Sequence, residues 1–566
     1  MDAASSTLIT VVKMKVKIIS IALLGLLAVA SAQAHVGSPG VVFEGKAGPY
    51  SLLVSINPPE VIPGTAQIQV IVENGGIEHI WVKPVYWYAG DEGSPSPDEA
   101  IPSEENPNQY EGLIWLMSSG TASLEITVEG SLGKGVALVP VMAASTAQND
   151  MEPQLGWILA GLGIFLVVLM VTIVGASVSD GTLDPDQPFT RRQRRKRWIG
   201  AGVGALVLGL ILYGGNQWWQ SWADDYQRYM YKPYQATSTV LETESGRVLN
   251  FAIDTTYLSY RGQSSRVSYL IPDHGKLMHM FVIREGSLDA FAHLHPQRVD
   301  TVSYQVKLPP LPEGRYFVYA DIVRWNGFAE TIADTVEIPA AKLPTRLATA
   351  REGSLYVDPD DTYIISNPVG SQQSQLPGNN IVICGKPGTE TPLPDGSTAI
   401  WEHQSNEPLI AGKLYPMTFA IQDPEGNPAE LEPYMGMMGH MVVFKNDGSV
   451  YVHLHPVGNY SMASQSVLES RIKEDQTLPT LPKPVQFADS INQLVASIQA
   501  MEEEEREDYL MEGMVHEVKD ETGEHAGHST VMFPYVFPEP GDYRIWIQMK
   551  RNGQVLNSAF DVNVEL

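Results

Sequence analysis

Two stretches of this 566-residue chain carry the same pattern of histidines. One is GHMVVFKNDGSVYVHLHP, from Gly439 to Pro456, and the other is MHMFVIREGSLDAFAHLHP, from Met278 to Pro296. Each pattern predicts a β-hairpin with one histidine on the first strand and two, spaced H-L-H-P, on the second. Side chains two apart on a strand share a face, and cross-strand partners have Cβ atoms about 4.5–5.5 Å apart. Three imidazoles therefore converge in each copy, as a metal site requires. The candidate ligands are His279, His293 and His295 in copy one, and His440, His453 and His455 in copy two.

Methionines lie next to both hairpins and add soft candidate ligands. These are Met278 in copy one and Met435 and Met438 in copy two, while His274 of copy one aligns with Met435. Neutral imidazole with thioether and no thiolate favours copper, and zinc is the alternative through histidine alone. The bland interpretation stays open, because strand histidines are often satisfied polar groups and methionines often fill space.

Weaker metal candidates lie elsewhere in the chain. His516, His525 and His528 belong to a segment that is either a metal-collecting loop or a polar surface loop. If a signal peptide is cleaved after Ala34, His35 can chelate copper with its imidazole and α-amine, with His79 the other histidine of that domain.

The repeat predicts a mainly β architecture. Short alternating apolar runs with Pro, Gly and Asn punctuation indicate one β-sandwich over 35–150 and two homologous ones over 234–339 and 392–566. Residues 340–391, rich in proline and glycine, are interpreted as a linker that contains a few strands of its own. Copy two carries an insertion over 457–535, in which apolar residues from Phe487 to Met501 recur at helical spacing and predict an amphipathic helix.

Three hydrophobic segments predict export and membrane insertion. Residues 1–34 have the charged, apolar and small-residue regions of a signal peptide. Leu155–Ser177 and Trp198–Gly214 contain no charged residue and predict a transmembrane hairpin within 153–219. The loop 178–197 holds six basic residues from Arg191 to Arg197, which predicts that it is cytoplasmic and that both large parts lie on the exported, periplasmic or extracellular side.

Composition excludes several function classes. The 65 acidic against 37 basic residues give a formal charge of -28, which argues against nucleic-acid binding. Cys384 is the only cysteine, so no intramolecular disulfide forms, and its strand-like surroundings predict a buried, inert thiol. The motifs of serine hydrolases, zinc proteases, P-loop enzymes and dithiol redox proteins are missing from the sequence.

The hairpin motifs resemble a known group of proteins. PYMGMMGHMVVFKNDGSVYVHLHP and DHGKLMHMFVIREGSLDAFAHLHP are similar to the H…H-x-H-P segments of bacterial exported and membrane proteins of the YtkA-like and CopC-like β-sandwich kind. The resemblance covers about 150 residues of the two hairpins and their closing strands. It implies copper handling, with Met278, His279, His293, His295, Met438, His440, His453 and His455 as candidate ligands. Together with the strand pattern and the two apolar segments, the predicted architecture is three Ig-like or CopC-like sandwiches plus a transmembrane hairpin.

The sequence thus supports a two-pass, membrane-anchored exported protein that binds copper as a chaperone, store or sensor. One alternative is a metal-free Ig-like scaffold or adaptor for an envelope partner. A second is a metalloenzyme whose three-histidine site keeps an open coordination position.

Overall fold

The computed structural model describes residues 35–36, 40–74, 76–104, 106–149, 151–179, 187–243, 246–256, 264–340, 357–371, 381–403, 407–473, 478, 480–512 and 529–566. The predicted signal peptide and the predicted ligands His516, His525 and His528 lie outside the described residues. Of His35 only the backbone is described.

The first ten strands are β1 (His35–Val36), β2 (Val41–Ala47), β3 (Tyr50–Asn57), β4 (Gly64–Val72), β5 (Ile77–Tyr86), β6 (Asp98–Glu99), β7 (Ile101–Pro102), β8 (Gln109–Leu116), β9 (Gly120–Gly130) and β10 (Gly133–Ala143). Two sheets, β2-β3-β4-β8-β7 and β10-β9-β5-β6, enclose one apolar core and form the first sheet pair. Alternating burial along β4 is the pattern that one buried and one solvated face produce. Strand β1 leaves this pair and joins the third one described below.

The next ten strands are β11 (Gln235–Thr243), β12 (Gly246–Asp254), β13 (Leu270–Ile271), β14 (His279–Arg284), β15 (Ala290–Leu294), β16 (Gln297–Arg298), β17 (Ser303–Lys307), β18 (Gly314–Arg324), β19 (Ala329–Ile338) and β20 (Thr362–Ile365). They form the second sheet pair, with β11-β12-β17-β16 in one sheet and β13-β18-β14-β15-β20 in the other, where β19 also pairs with β18.

The remaining strands are β21 (Glu390–Pro392), β22 (Thr398–Trp401), β23 (Leu409–Ile410), β24 (Leu414–Gln422), β25 (His440–Lys445), β26 (Val450–Leu454), β27 (Thr530–Val536), β28 (Gly541–Arg551) and β29 (Gln554–Glu565). They form the third sheet pair, with β21-β22-β24-β27 facing β1-β26-β25-β28-β29-β23 across a third core. The predicted mainly β fold with several sandwich-like sheets is therefore confirmed.

The segment 340–391 contributes strands to both neighbouring sheet pairs. Its strand β20 adds to the edge of the second sheet pair, where Thr362 lies opposite His293. Its last residues begin β21 in the third sheet pair. The sheets that these strands join could not be inferred from the sequence, because TYII is only four residues long and period-two alternation has too few positions to register.

Two long apolar helices interrupt the sheets, α1 (Pro153–Ser179) and α2 (Arg191–Tyr229). By length and composition both are apolar enough to cross a membrane. They pack antiparallel through small residues: a Cβ on Gly204 would lie 3.0 Å from Val174, and one on Gly200 would lie 3.1 Å from Val178. Small residues four positions apart on a helix let a second helix approach this closely.

The basic stretch predicted as loop is helical. Helix α2 begins at Arg191 because Thr190 caps it, accepting from the Gln193 backbone while the Gln193 side chain accepts from the Thr190 backbone. Arginine and lysine are good helix formers, so the helix runs on through the basic residues. It also continues past Gly214 to Tyr229, beyond the apolar window.

In the described part of the insertion in the third sheet pair there are three helices, α3 (Met462–Lys473), α4 (Pro484–Gln499) and α5 (Glu503–Glu512). Helix α4 coincides with the predicted amphipathic helix. The predicted insertion end at 535 is too late, because β27 from Thr530 already belongs to a sheet. Helix α3 joins the sheet pairs, since Arg471 donates to the Trp87 carbonyl and Trp87 packs edge-on against Trp325.

The histidine-bearing sheets of the second and third pairs pack face to face. A fourth apolar cluster fills this junction with residues of both. Tyr319 and Tyr451 stack across it with ring centroids 4.1 Å apart, and Phe291 stacks on Trp546 at 4.7 Å. Each hairpin sheet is therefore buried on both faces.

Candidate metal centre at the junction of the two hairpins

Strand alternation directs the hairpin histidines toward the junction. In β14, Met280 and Val282 point into the core of the second sheet pair, whereas Phe281 belongs to the junction cluster. His279 shares the face of Phe281 because it lies two residues away. His293 pairs with Phe281 across the hairpin, and its ring stacks on that phenylalanine at 4.2 Å. In copy two His453 pairs with Val442, which also belongs to the junction cluster.

The two hairpins are alike in their internal spacing. Ring centroids of His279 and His295 are 5.2 Å apart, as are those of His440 and His455. The two histidines of each H-L-H segment are 4.6 Å apart in both copies. The sequence repeat is therefore a repeat of side-chain geometry.

The two copies contribute to one cluster. The ring centroid of His453 in copy two lies 5.6 Å from that of His279 and 5.7 Å from that of His293 in copy one. The ring centroid of His274 in copy one lies 4.7 Å from that of His455 and 5.4 Å from that of His440 in copy two. We call these seven residues the histidine cluster: His274, His279, His293, His295, His440, His453 and His455. Of the two predicted three-histidine sets, that of copy one forms a group of its own, whereas in copy two His274 of copy one stands with His440 and His455 in place of His453.

His274 reaches the other copy from a tight turn. Asp273 and Lys276 close a two-residue turn in which His274 and Gly275 have φ of 48° and 75°. The equivalent turn of copy two has Met435 and Gly436 at 54° and 75°. Left-handed backbone is uncommon outside glycine, asparagine and aspartate. The sequence alignment of His274 with Met435 is thus an equivalence of backbone conformation.

Hydrogen bonds fix which nitrogens of two rings carry hydrogen. His279 donates through Nε2 to the Asp273 carbonyl at 3.1 Å. His293 donates through Nδ1 to Gln548 Oε1 at 2.8 Å, and the Gln548 amide in turn donates to Asn557. In this arrangement the lone pairs of His279 Nδ1 and His293 Nε2 face each other at 3.1 Å. Two ligands of one tetrahedral ion with bonds of about 2.0–2.1 Å are separated by about 3.3 Å, so the pair is spaced to share a cation.

Two further histidines are oriented by outer partners. His295 Nδ1 donates to Asp361 at 3.0 Å, and His455 Nδ1 donates to the Tyr460 carbonyl at 3.2 Å. Outer acceptors of this kind set the tautomer of metal-ligating histidines and leave Nε2 as the ligand atom. His453 has the Asp321 carboxylate 3.4 Å from its Nδ1.

The cluster holds an unusual number of unpaired nitrogens. Among the described residues, buried ring nitrogens without a hydrogen-bond partner occur on five of the seven histidines: both nitrogens of His274 and His440, and Nε2 of His295, His453 and His455. Leaving a buried polar group unpaired costs about 1–3 kcal/mol each. Bound ions are a direct way to remove that cost.

Burial keeps His274, His279, His293, His440, His453 and His455 neutral. It lowers the pKa of His274 from 6.5 to about 4 and that of His455 to about 3. Burial, and then the charge that neighbouring histidines would carry, hold the pKa of His279 and His440 well below 6.5. Only neutral imidazole binds a metal, so these six rings are in their ligand form at neutral pH.

Among the described residues, three groups of side chains could each hold a metal ion, because the ligand atoms within each group lie within 4.8 Å of one another. The first group is His279, His293 and His295, and the second, which spans the junction, is His274, His440 and His455. His295 also forms a group with Asp358 and Asp361, from the segment predicted as linker. His453 lies between the first two groups, 5.5 Å from His440 and 5.6 Å from His279.

The structure places two predicted thioether ligands elsewhere. Met278 packs in the core of the second sheet pair, and Met438 packs against the core of the third. Met278 immediately precedes His279, and successive strand residues point to opposite faces, whereas Met438 lies two residues before His440 and outside the strand that begins there. Met435 is buried in its turn.

The first sheet pair contributes no described histidine to the cluster. His79 is half exposed on β5, where it contacts the Glu99 carboxylate at 2.5 Å, and this hydrogen bond raises its pKa. The backbone of His35 pairs with Val450 on β26. Cys384 is buried as predicted, and burial raises the pKa of its thiol to about 11.

Several residues of the site were missed from the sequence. Gln548 and Asp321 lie on the closing strands β28 and β18, and Asp361 precedes β20. Each is one polar residue in a chain rich in them, so none stood out. One usable signal was the strand composition, because HMFVIR and HMVVFK are apolar on both faces and indicate a sheet covered on both sides.

Comparison with known proteins gives no function. A family model described as a domain of unknown function (DUF8832) matches residues 394–477 and 465–566. No curated protein matches the chain significantly.

Comparison with solved structures finds weak similarities. A tetra-tandem repeat from the extending region of a large adhesion protein is 6% identical, with 89% of this chain and 71% of that chain covered and a TM-score of 0.15. A putative membrane anchored protein from Corynebacterium diphtheriae is 7% identical, with 93% and 96% covered and a TM-score of 0.12. The BSP domain of a biofilm associated protein is 8% identical, with 95% and 68% covered and a TM-score of 0.12. Similarities this low carry no information about function, which must be inferred from the site itself.

Proposed function

We propose that the chain is a membrane-anchored, exported protein that binds copper ions in the histidine cluster between its two repeated sandwiches. One observation carries the proposal: six buried histidines and the partly buried His453 converge from both copies, and five of the seven have ring nitrogens unpaired within the described part of the chain. The adaptor alternative gives no reason to bury so many unpaired imidazoles.

Two ions fit the arrangement better than one. The first ion takes His279, His293 and His295, and the second takes His274, His440 and His455, as the two groups are spaced. His453 stands between them and serves either ion. Because the second group draws on both copies, metal binding also ties the second and third sheet pairs together.

Copper is favoured over zinc by the donor set. Imidazole suits both metals, and thioether adds preference for Cu(I). Met435 occupies the turn position equivalent to that of His274. Because His274 of copy one joins ligands of copy two, Met435 of copy two is the methionine whose thioether would reach the ligands of copy one, the first group. Zinc through histidine alone is the alternative.

The membrane placement extends the same proposal. Helices α1 and α2 expose apolar side chains along their length, and the basic residues cluster at the end where the two helices meet. Positive charge marks the cytoplasmic side, which leaves all three sheet pairs on the exported side. In this account residues 1–34 direct export.

Metal analysis of the detergent-solubilised full chain tests the proposal. Wild type should retain about two copper ions per chain after dialysis, and His293→Ala and His440→Ala should each lose one. His79→Ala is the matched control, because that histidine lies apart from the cluster, and it should keep the wild-type content. Equal copper in all four proteins would refute binding at the cluster.

A metalloenzyme is the second candidate, and one observation favours it. A cavity reaches His279, His453 and His455 from the protein surface. A three-histidine ion with an open position toward that cavity has the arrangement of catalytic rather than structural sites. Steady-state turnover, absent in His440→Ala, would establish this function.

A further inference from the structure

A cavity of about 670 Å³ leads to the histidine cluster. It lies among the first sheet pair, the second sheet pair and the segment after β26. Its lining includes His279, His453 and His455 at one end. All three are buried or nearly so, so this is the inner end.

The outer end lies where the chain enters and leaves the helical pair. The exposed lining residues are Glu60, Thr146, Pro233, Gln235 and Ala333. The segments before α1 and after α2 are joined here by the Tyr231 backbone, which donates to the Ser145 carbonyl at 2.8 Å. If α1 and α2 cross a membrane, this mouth opens beside the membrane surface.

The walls are mostly apolar and the inner end is polar. Met142, Tyr234, Leu277, Phe328 and Val452 are among the wall residues. At the inner end the carboxylates of Asp273 and Asp321 also line the cavity, next to His453 and His455. Ser464 lines it too, and its hydroxyl is buried without a partner among the described residues.

We propose that this cavity binds a small, neutral, mainly apolar molecule that carries one hydroxyl group, with the hydroxyl at the histidine cluster. In this arrangement the hydroxyl oxygen contacts the ion bound near His453 and His455. That contact rests on the proposed function, which places the ion there. The hydroxyl hydrogen is donated to the Asp321 carboxylate, and the oxygen accepts from Ser464. The apolar body lies against the walls, and the membrane is its reservoir.

Size and lining favour this class over a bare ion or a peptide. Small-molecule pockets measure about 300–1,000 Å³ and combine apolar walls with a few convergent polar groups. A path for metal ions alone needs neither that volume nor apolar walls. A folded or extended peptide would need an open groove rather than a cavity that ends on buried histidines.

Benzyl alcohol is a suitable probe, with toluene as the molecule of similar size that lacks the hydroxyl. The copper-loaded full chain is titrated with each, and the Cu(II) electron paramagnetic resonance spectrum is followed. Benzyl alcohol should change the spectrum saturably and toluene should not. Ala333→Trp narrows the mouth and should weaken binding at least tenfold, whereas Ala496→Trp, on the exposed face of α4, should bind as wild type does.

Two readouts separate this inference from the metal proposal. Copper content is measured first and should be equal in wild type and both variants. Saturation-transfer NMR on the metal-free chain then reports cavity occupancy without any ion, and Ala333→Trp should lower the benzyl alcohol signal relative to Ala496→Trp. Equal signals for those two variants, or equal spectral responses to toluene and benzyl alcohol in copper-loaded protein, would overturn the cavity inference. If copper were missing while Ala333→Trp still lowered the benzyl alcohol signal relative to Ala496→Trp, only the proposal of copper binding would be overturned.

Discussion

Replacing His274 with asparagine separates the electrostatic role of this residue from its backbone role. His274 has a φ of 48°, and asparagine is among the few residues that tolerate this conformation. His274→Asn therefore keeps the turn while removing a buried titratable ring that contacts His440 and His455.

The size of the effect follows from the lowered pKa. Burial lowers the pKa of His274 from 6.5 to about 4. The unfolded chain thus takes up a proton below pH 6.5 that the folded chain refuses until about pH 4, so stability is complete above pH 6.5 and is lost as the pH falls. One pKa unit is worth about 1.4 kcal/mol, so His274 alone should remove about 2 kcal/mol of unfolding free energy by pH 5 and about 3 kcal/mol by pH 4.

Urea unfolding of metal-free full-length protein at pH 8, 6 and 5 tests this reasoning. Tryptophan fluorescence reports the junction, because Trp546 is buried in it. The stability difference between wild type and His274→Asn should shift by about 2 kcal/mol from pH 8 to pH 5, with the variant relatively more stable at low pH. Parallel pH profiles for the two proteins would refute the account of a neutral buried ring.

Three other substitutions test separate parts of the structure. Gln548→Leu removes the acceptor that fixes the His293 tautomer, and copper titration should show the affinity of that group falling about 10–100-fold while the other group is unchanged; equal losses in both groups would contradict this. Arg544→Met removes a buried side chain that bonds a carboxylate and two carbonyls of the facing sheet pair, and should cost about 3–5 kcal/mol in urea unfolding, against less than about 1 kcal/mol for the exposed Arg315→Met. Gly204→Leu should lower the thermal midpoint by forcing α1 and α2 apart, whereas Gly209→Leu, which faces open space, should not; equal shifts would argue against the helix contact.

Much of the fold could be predicted because strand and helix periods are local. The histidine strands, the amphipathic helix α4 and the apolar centres of α1 and α2 all follow from residues within one element. The start of α2 shows the limit of this local prediction. Thr190 and Gln193 form a capping box that begins the helix, but the basic residues that follow were predicted to be a loop.

The meeting of the two hairpins could not be predicted in the same way. Which sheet faces another depends on contacts between residues far apart in sequence, such as Tyr319 with Tyr451. The ligand groups follow that packing, because His274 joins His440 and His455 only when the sheets face each other. Conversely, the placement of Met278 could have been predicted, since strand alternation puts it on the face opposite His279.

X-ray absorption at the copper edge of the loaded full-length protein is the most direct test of the central claim. The account predicts a first shell dominated by nitrogen at about 2 Å, with the multiple scattering of at least three imidazoles per ion. The same spectrum from His440→Ala should fit one ion in the same environment. A shell of oxygen alone, or one without imidazole scattering, would show that copper does not bind at the histidine cluster.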